Sequence, residues 1–249
     1  MTILGYTPYH MLEVLTKHGY SHMKIVREAV IAANDRFSGI PRYQRPELDK
    51  WLAEYDCLIE IPSYIGMRAM ESYAKDPDIK FILTERDPDK WVRSFNNTAG
   101  EVGKAANVFP MNILKRFDAE LGGFFENTQL MYWAMSDGTD KGHPDNEAAL
   151  RKNYIEYIHA VKETLPQDRT LVIKLEDGLG WAQICPFLEM DIPDQPYPQA
   201  NVQEKFQAII GDFMRPRVMA AMVRLGVVVA PTLGVAGYLG WKYGLTVIE

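Results

Sequence analysis

The feature that most constrains the fold is a strand, loop and helix unit in residues 80–94, which read KFILTERDPDKWVRS. Its apolar start contains β-branched residues and predicts a buried strand. Asp87 and Pro88 then have the composition of a helix start, because Asp87 can cap the free amides of the first turn and Pro88 has no amide hydrogen to leave unpaired. We therefore expect a strand that ends near Arg86 and a helix that runs towards Asn97.

Two side chains of this unit could hold a phosphate group. Arg86 is expected at the carboxyl end of the strand, which is the edge where open α/β sheets bind ligands. Ser94 is expected about two turns into the helix that follows. A guanidinium and a hydroxyl in these places suit a phosphate. The alternative is that Arg86 pairs with a surface carboxylate and that Ser94 is a solvated helix residue.

This segment resembles a known motif, and other segments agree with it in order along the chain. Residues 81–94 resemble the R-[DN]-P-x-x-W-x-x-S pattern with which P-loop sulfotransferases bind the 3′-phosphate of the sulfonate donor PAPS. Residues 4–11, LGYTPYHM, resemble the L-G-Y-x-x-Y-H-M segment of the fungal small-molecule branch of that superfamily, whose members are often labelled NAD-dependent epimerases. Glu60 and Pro62 stand where this branch has D-x-P, and residues 180–201 resemble its G-W-x-x-L-C-x-F-L ending.

The resemblance implies a single three-layer α/β domain over residues 1–201, in which helices flank a parallel sheet of the P-loop sulfotransferase type. Members of the family have a strand and a phosphate-binding loop of the type P-R-T-G-T-S before the L-G-Y segment, and the given sequence has no such loop ahead of Leu4. We therefore expect this fold with its first strand and P-loop missing, which leaves neighbouring strand edges without partners. Three interpretations are open: the natural protein carries the segment, the enzyme works without PAPS, or the chain is a non-catalytic remnant.

Two titratable residues fall at the expected ligand edge. His10 lies in the L-G-Y-x-x-Y-H-M-like segment, and imidazole titrates near neutral pH, which suits a catalytic base. Glu60 comes near the end of a predicted strand over residues 57–61, so it could orient His10 or act as the base itself. The structural alternatives are a hydrogen-bonded histidine at a helix start and a strand-end carboxylate bound to backbone amides.

Aromatic residues are expected to shape the rest of the site. Trp181, at the start of a predicted helix, is either a packing anchor or a wall of the nucleotide site. Residues 101–136 have a helical pattern that is interrupted at Gly122 and Gly123. The resemblance implies that the aromatic side chains of this region wall the acceptor site, although such residues could equally belong to the core.

Composition argues against several classes of protein. A net charge of −6 and the lack of a basic aromatic stripe argue against a nucleic-acid surface. Cys57 and Cys185 stand far apart, which favours two buried thiols in a reducing compartment over a disulfide framework or a zinc site. His18 and His22 have a spacing that can bind zinc on a helix, but Gly19 breaks the helical pattern, so we expect no metal site.

The C-terminal region has the composition of a membrane segment. Residues 225–241 form an uncharged run of 17 residues, which as a helix would be about 25 Å long and slightly short of a bilayer core. Arginines before the run outnumber the lysine after it, which would keep the globular part cytoplasmic. We expect a connecting helix over residues 202–224 and a membrane-associated helix over residues 225–245. The alternative is a helix docked on the core or on a second protomer.

These patterns, with the resemblance, predict a sulfotransferase-like enzyme that transfers a sulfonate from PAPS to a small apolar or phenolic metabolite in fungal secondary metabolism. His10 and Glu60 would handle the proton, and Arg86, Ser94 and Trp181 would bind the donor. The alternatives are a repurposed enzyme that catalyses a cyclisation or dehydration without PAPS, and a non-catalytic membrane-anchored binding protein. We expect a location on the cytoplasmic face of an intracellular membrane, and a homodimer is compatible with the sequence.

Overall fold

The computed structural model describes residues 1–198 and 202–244 of the 249-residue chain. In this part of the chain the strands are β1 (Pro8–Tyr9), β2 (Cys57–Leu58), β3 (Phe81–Glu85) and β4 (Thr170–Lys174). The helices are α1 (Met11–Glu13), α2 (Tyr20–Asn34), α3 (Arg45–Trp51), α4 (Ile61–Ile65), α5 (Met67–Ala74), α6 (Pro88–Phe95), α7 (Glu101–Ala106), α8 (Met111–Leu114), α9 (Ala119–Met135), α10 (Asn146–Thr164), α11 (Trp181–Leu188) and α12 (Val202–Tyr243).

The strands form two parallel pairs with helices between them in sequence. β1 lies beside β2, with Pro8 opposite Cys57. β3 lies beside β4, in register from Phe81 opposite Thr170 onwards. Parallel neighbours need a crossover connection, and helices supply it here, which is the pattern of an α/β protein. The predicted α/β class is confirmed, although the strands of the described residues form two separate pairs and not one continuous sheet.

The strand, loop and helix unit predicted around Arg86 is present. β3 ends at Glu85 and α6 begins at Pro88. Asp87 is the N-cap, and its carboxylate accepts a hydrogen bond from the amide of Lys90 at 2.9 Å. α6 then continues through a π-helical turn into α7, so the helix extends beyond the predicted end.

Helices α2 and α9 pack against each other at the centre of the main hydrophobic core. Asn127 of α9 is buried there, and its amide donates a hydrogen bond to the carbonyl of Met23 in α2 at 3.0 Å. Fully buried apolar side chains of this core include Tyr9, Val14, Val26, Val30, Leu48, Ile61 and Leu121. The core therefore joins the start of the chain to the helices that follow β2.

The helix break predicted at Gly122 and Gly123 is wrong, because α9 runs through both residues without interruption. The pattern breaks earlier, between α7 and α9, where the short helix α8 lies. A Cβ on Gly122 would lie 2.7 Å from the carbonyl oxygen of Lys115, and one on Gly123 would lie 3.0 Å from the ring of Tyr20. Glycine is needed at these positions because neighbouring segments approach closely, and not because the helix ends there.

The C-terminal helix α12 has two environments. Its first half packs on α8 and α9, with Phe213 and Ala221 buried and Leu225 at the edge of the core. After Leu225 its side chains are uncharged as far as Trp241, mostly apolar and almost all exposed. The stretch Gln207–Tyr243 is long and apolar enough to cross a membrane, by length and composition alone.

The predicted connecting helix and the predicted hydrophobic helix are therefore parts of one helix. The part of α12 that packs on the domain lies within residues 202–224, and the exposed part of the helix follows it. The predicted end of the hydrophobic helix at residue 245 lies outside the described residues.

Candidate functional site

A cavity of about 1370 Å³ lies between the two strand pairs, and we refer to it as the central cavity. Consecutive residues from Phe81 to Thr84 of β3 line it, and so do consecutive residues from Cys57 to Glu60. Successive side chains of a strand point to opposite faces, so a lining of consecutive residues means that the cavity borders strand edges. The edges of β2 and β3 that have no partner strand in the described residues therefore face this cavity.

The wall of the central cavity is mainly apolar. Among its lining residues are Leu15, Met70, Phe124, Met131, Ile158 and Val161. Of the aromatic residues predicted to wall an acceptor site, Phe124 lines the cavity, whereas Phe125 and Tyr132 are buried in the core and Phe109 and Trp133 are exposed. The cavity is therefore suited to an apolar small molecule, and most of its aromatic walls, such as Trp91 and Tyr157, come from segments other than the predicted one.

Glu60 stands after β2 at the centre of a γ-turn. Its backbone has φ 69° and ψ −49°, and the amide of Ile61 donates a hydrogen bond to the carbonyl of Ile59 at 2.7 Å. This form of γ-turn is rare, and it is strained for a residue with a side chain. The turn explains why β2 stops at Leu58, three residues before its predicted end. The strained residue is the one whose carboxyl group lines the cavity.

The imidazole of His10 orients the Glu60 carboxylate. His10 is the N-cap of α1, and its Nδ1 accepts a hydrogen bond from the amide of Leu12 at 3.1 Å. A ring nitrogen that accepts a hydrogen bond carries no proton, so we assign the proton of the ring to Nε2. Nε2 lies 3.1 Å from Oε2 of Glu60 and donates to it. The structure thus brings together the two residues predicted to handle the proton.

The surroundings of Glu60 favour its use as a base. Desolvation by the surrounding protein raises the pKa of its carboxyl group, although 35% of the side chain remains exposed, and the nearby His10 ring offsets part of that shift. The ring of His10 occupies one of the about four lone-pair sites of this carboxylate. Glu60 lines the cavity and His10 does not, so of the two residues Glu60 is the one that a bound molecule can reach. A carboxylate with a raised pKa at such a cavity can take a proton from a bound molecule.

Tyr64 is a site residue that the sequence reasoning missed. It lies one turn into α4, which begins directly after Glu60, and it lines the central cavity. Burial, and after it the neighbouring Glu60, raise the pKa of Tyr64 well above its ordinary value. The sequence gives only a weak signal for it, because Glu60 precedes the helix and a spacing of four residues brings side chains together only within one.

Arg86 follows β3 directly and lines the same cavity. The hydroxyl of Tyr154 accepts a hydrogen bond from the Arg86 amide at 2.8 Å and donates one to the Arg86 carbonyl at 3.0 Å. These bonds fix the backbone, and within the described part of the chain no group pairs with the guanidinium. A free guanidinium at the carboxyl end of a parallel strand suits an anionic group of a ligand.

The structure does not bring Ser94 or Trp181 to this cavity. Ser94 is half-buried in α6, and the residues of that helix that line the cavity are Trp91 and Phe95. Trp181 is buried at the start of α11, and its indole Nε1 donates a hydrogen bond to the carbonyl of Gln195 at 2.9 Å. These contacts are those of a packing anchor.

A parallel α/β arrangement with an acidic and a basic side chain at strand ends is typical of α/β proteins that bind small molecules. The chain belongs to the sulfotransferase domain family, because the model of that family matches residues 1–206. The Ava biosynthesis cluster protein M of Aspergillus versicolor is 28% identical over 204 residues, which cover 78% of this chain and 71% of that protein. The predicted resemblance to fungal sulfotransferase-like proteins is confirmed.

Proposed function

We propose that this member of the sulfotransferase domain family is an enzyme of small-molecule biosynthesis that acts on an apolar or phenolic metabolite in the central cavity. The observation that carries the proposal is the 3.1 Å hydrogen bond between Nε2 of His10 and Oε2 of Glu60, at a carboxylate that lines the cavity. The similarity to a biosynthesis cluster protein supports a role in secondary metabolism.

Glu60 is the proposed base. A hydroxyl group of the bound metabolite would donate its proton to a free lone pair of the carboxylate, whose raised pKa makes it a stronger base near neutral pH. His10 keeps its Nε2 proton in the hydrogen bond to Glu60, because its Nδ1 is engaged by the amide of Leu12. His10 is thus a positioning residue in this proposal, and Glu60 is the catalytic one.

PAPS is the sulfonate donor that membership of the family suggests, and the described residues fit only part of it. Arg86 suits one phosphate, namely the 3′-phosphate that the resemblance assigns to it. The donor also carries a phosphosulfate, whose charge needs further cations or a cradle of backbone amides. The other basic side chains on the described cavity wall, Arg45 and Lys80, are already paired with carboxylates. We therefore derive no step through PAPS.

Two reactions could use a deprotonated metabolite. Sulfonate transfer from PAPS is the first candidate, because it is the reaction that membership of the family favours. A cyclisation or dehydration without PAPS is the second. The central cavity offers a base and an apolar wall for it, and its described lining has a single unpaired basic side chain. A non-catalytic protein would bind the same metabolite without using the chemistry of Glu60.

One experiment distinguishes these candidates. The purified full chain is incubated, with and without PAPS, with a metabolite extract of a strain that lacks its gene, and the products are identified by mass spectrometry. A product that carries a sulfonate and forms only with PAPS supports the first candidate. An isomer or a dehydrated product that forms without PAPS supports the second. Glu60→Gln should abolish either product, and a product that this variant still forms at the wild-type rate contradicts the proposed base.

We infer that the exposed half of α12 anchors the protein on the cytoplasmic face of an intracellular membrane. Val227, Leu233 and Trp241 are exposed by 67%, 66% and 81%, and water is an unfavourable surrounding for such a surface. The arginines that precede the uncharged run support this orientation. Alkaline extraction of membranes should leave the full chain in the pellet. Solubility without detergent would contradict the anchor, and sedimentation would then show whether a second copy covers the helix.

A further inference from the structure

We propose that residues 104–116, between the middle of α7 and the start of α9, lie on the bilayer surface and bind anionic lipid headgroups. We name these residues the interfacial segment. The proposal rests on the anchoring role proposed for α12, since a spanning helix would bring the interfacial segment to the headgroup level. It adds a second contact, which would fix how the domain sits on the membrane.

The interfacial segment exposes large apolar side chains to solvent. Val108, Phe109 and Ile113 are exposed by 55%, 76% and 39%. The side chains beside them point the other way, because Leu114 is buried in the main core and Met111 packs against it. The segment is therefore held firmly from inside, and its exposed apolar residues form one neighbouring group in sequence. Groups of this kind on a protein surface mark contacts with a partner or a membrane.

The charge of the interfacial segment points to an anionic surface. Its charged residues are Lys104, Lys115 and Arg116, with no acidic residue between residues 102 and 117, in a chain whose net charge is −6. Lys104 and Arg116 are exposed, and neither pairs with a carboxylate in the described residues. Basic residues near an anionic leaflet are attracted to its lipid headgroups. Exposed apolar residues beside free basic residues are the composition of an interfacial membrane contact.

The position of the segment on α12 supports the same partner. Arg224 is the last charged residue before the uncharged run of α12. Its guanidinium donates to the carbonyl of Phe117 at 2.9 Å and to the carboxylate of Asp118, and α8 packs on α12. The residues directly after the interfacial segment thus contact α12 at the level where charged residues end. In an anchored protein, that level is the boundary between headgroups and acyl chains.

The test uses the full chain in phosphatidylcholine vesicles with and without phosphatidylserine. An environment-sensitive fluorophore is attached to a cysteine at one of three positions: Phe109→Cys in the interfacial segment, Leu233→Cys in the anchor, or Phe37→Cys as the matched control. Phe37 is also an exposed aromatic residue, by 81%, and it follows α2 in a part of the chain outside both proposed lipid contacts. The unsubstituted chain, which contains Cys57 and Cys185, gives the labelling background.

We expect the label at position 109 to shift to shorter emission wavelengths and to be quenched by lipids that carry a nitroxide near the headgroup. The label at position 233 should be quenched by nitroxides deep in the acyl region, and the label at position 37 by neither. Adding Lys104→Gln and Arg116→Gln should reduce the signal at position 109 in vesicles with phosphatidylserine and leave it unchanged without it.

The outcomes separate this proposal from the anchor. If position 233 reports lipid and position 109 behaves like position 37, the anchor stands and the interfacial segment is wrong. If position 109 alone reports lipid, the surface contact stands and the spanning anchor is wrong. If both positions behave like position 37, both proposals are wrong. A shift at position 109 that depends on protein concentration and needs no vesicles would assign the segment to a second copy of the chain and overturn the lipid proposal.

Discussion

The ring of His10 bridges two elements: Nε2 lies 3.1 Å from Oε2 of Glu60, and Nδ1 accepts the amide hydrogen of Leu12 at 3.1 Å. Because both nitrogens are used, the ring cannot turn without the loss of both hydrogen bonds. The carboxylate of Glu60 is therefore held in one orientation at the central cavity. A base that is fixed in this way needs no rearrangement before it takes a proton.

Replacement of Glu60 by glutamine is expected to stabilise the protein at neutral pH. Burial raises the pKa of Glu60 in the folded state. A carboxyl group of this kind contributes stability that is fully present below its unfolded pKa and is lost as the pH rises through the folded pKa. Glu60→Gln should thus melt at a higher temperature than the wild type at neutral pH, and the difference should shrink as the pH falls towards about 4. Circular dichroism during heating measures this.

The matched control for that variant is Glu156→Gln, at an exposed glutamate in the middle of α10. Its melting temperature should stay close to that of the wild type at every pH. An equal gain for both variants, or a gain at Glu60 that does not depend on pH, would contradict the raised pKa assigned to the Glu60 carboxyl group.

The γ-turn at Glu60 predicts that glycine is more stabilising than alanine at this position, which is the reverse of their order in a helix. A residue with a side chain in a strained backbone conformation costs about 1–3 kcal/mol, which glycine avoids. Both Glu60→Gly and Glu60→Ala remove the carboxylate, so their difference in unfolding free energy isolates the backbone, and the glycine variant should be the more stable. At Glu156, inside α10, the glycine variant should instead be less stable than alanine by about 1 kcal/mol. Urea unfolding of the four variants tests this, and the same order at both positions would refute the turn.

Removal of the Arg86 guanidinium is expected to weaken the binding of phosphate-bearing ligands. A hydrogen bond to a charged group contributes about 1.5–3 kcal/mol, so Arg86→Ala should raise the Kd for adenosine 3′,5′-bisphosphate roughly tenfold or more. Calorimetry measures the Kd, and Arg93→Ala, at an exposed position of α6, is the control. No binding by the wild type would exclude sulfonation by this chain. A weaker affinity of Ser94→Ala would support the donor-binding role that the sequence predicts for Ser94.

A methyl group at Gly122 is expected to destabilise the fold. The Cβ of Gly122→Ala would meet the carbonyl oxygen of Lys115 at 2.7 Å, and backbone atoms cannot move aside cheaply. Overpacking of this kind costs about 1–3 kcal/mol. Gly211→Ala is the control, because no atom lies within 4 Å of its Cβ and alanine is favoured in a helix by about 1 kcal/mol. Thermal unfolding should therefore show opposite shifts, and a stabilised Gly122→Ala would contradict the close approach.

Features that depend on neighbouring residues could be predicted from the sequence. Asp87 caps α6 and accepts a hydrogen bond from an amide of the first turn. Pro88 begins the helix, since a residue at that position needs no amide hydrogen. The turn at Glu60 could not be predicted in this way. Nothing in the residues Glu60 and Ile61 favours a positive φ, and only the surrounding packing holds it.

Contacts between distant segments could not be predicted from the sequence either. Tyr154 fixes the backbone of Arg86 from 68 residues away, and no local pattern indicates the pair. The glycines of α9 have the composition of a helix break. Glycine is required there because Lys115 and Tyr20, in other segments, approach the helix closely. Motif similarity assigned Ser94 to the donor site, whereas its side chain lies outside the wall of the central cavity.

The unpaired edges of β2 and β3 expose main-chain hydrogen-bonding groups to the central cavity. A metabolite bound there as proposed would meet amide and carbonyl groups, since neither edge has a partner strand in the described residues. Such groups are the same whatever side chain a residue carries. Alanine substitutions in the cavity wall would therefore leave the affinity from these main-chain groups unchanged. Ligand analogues with altered hydrogen-bonding groups, more than protein variants, are therefore the means to measure this part of the binding.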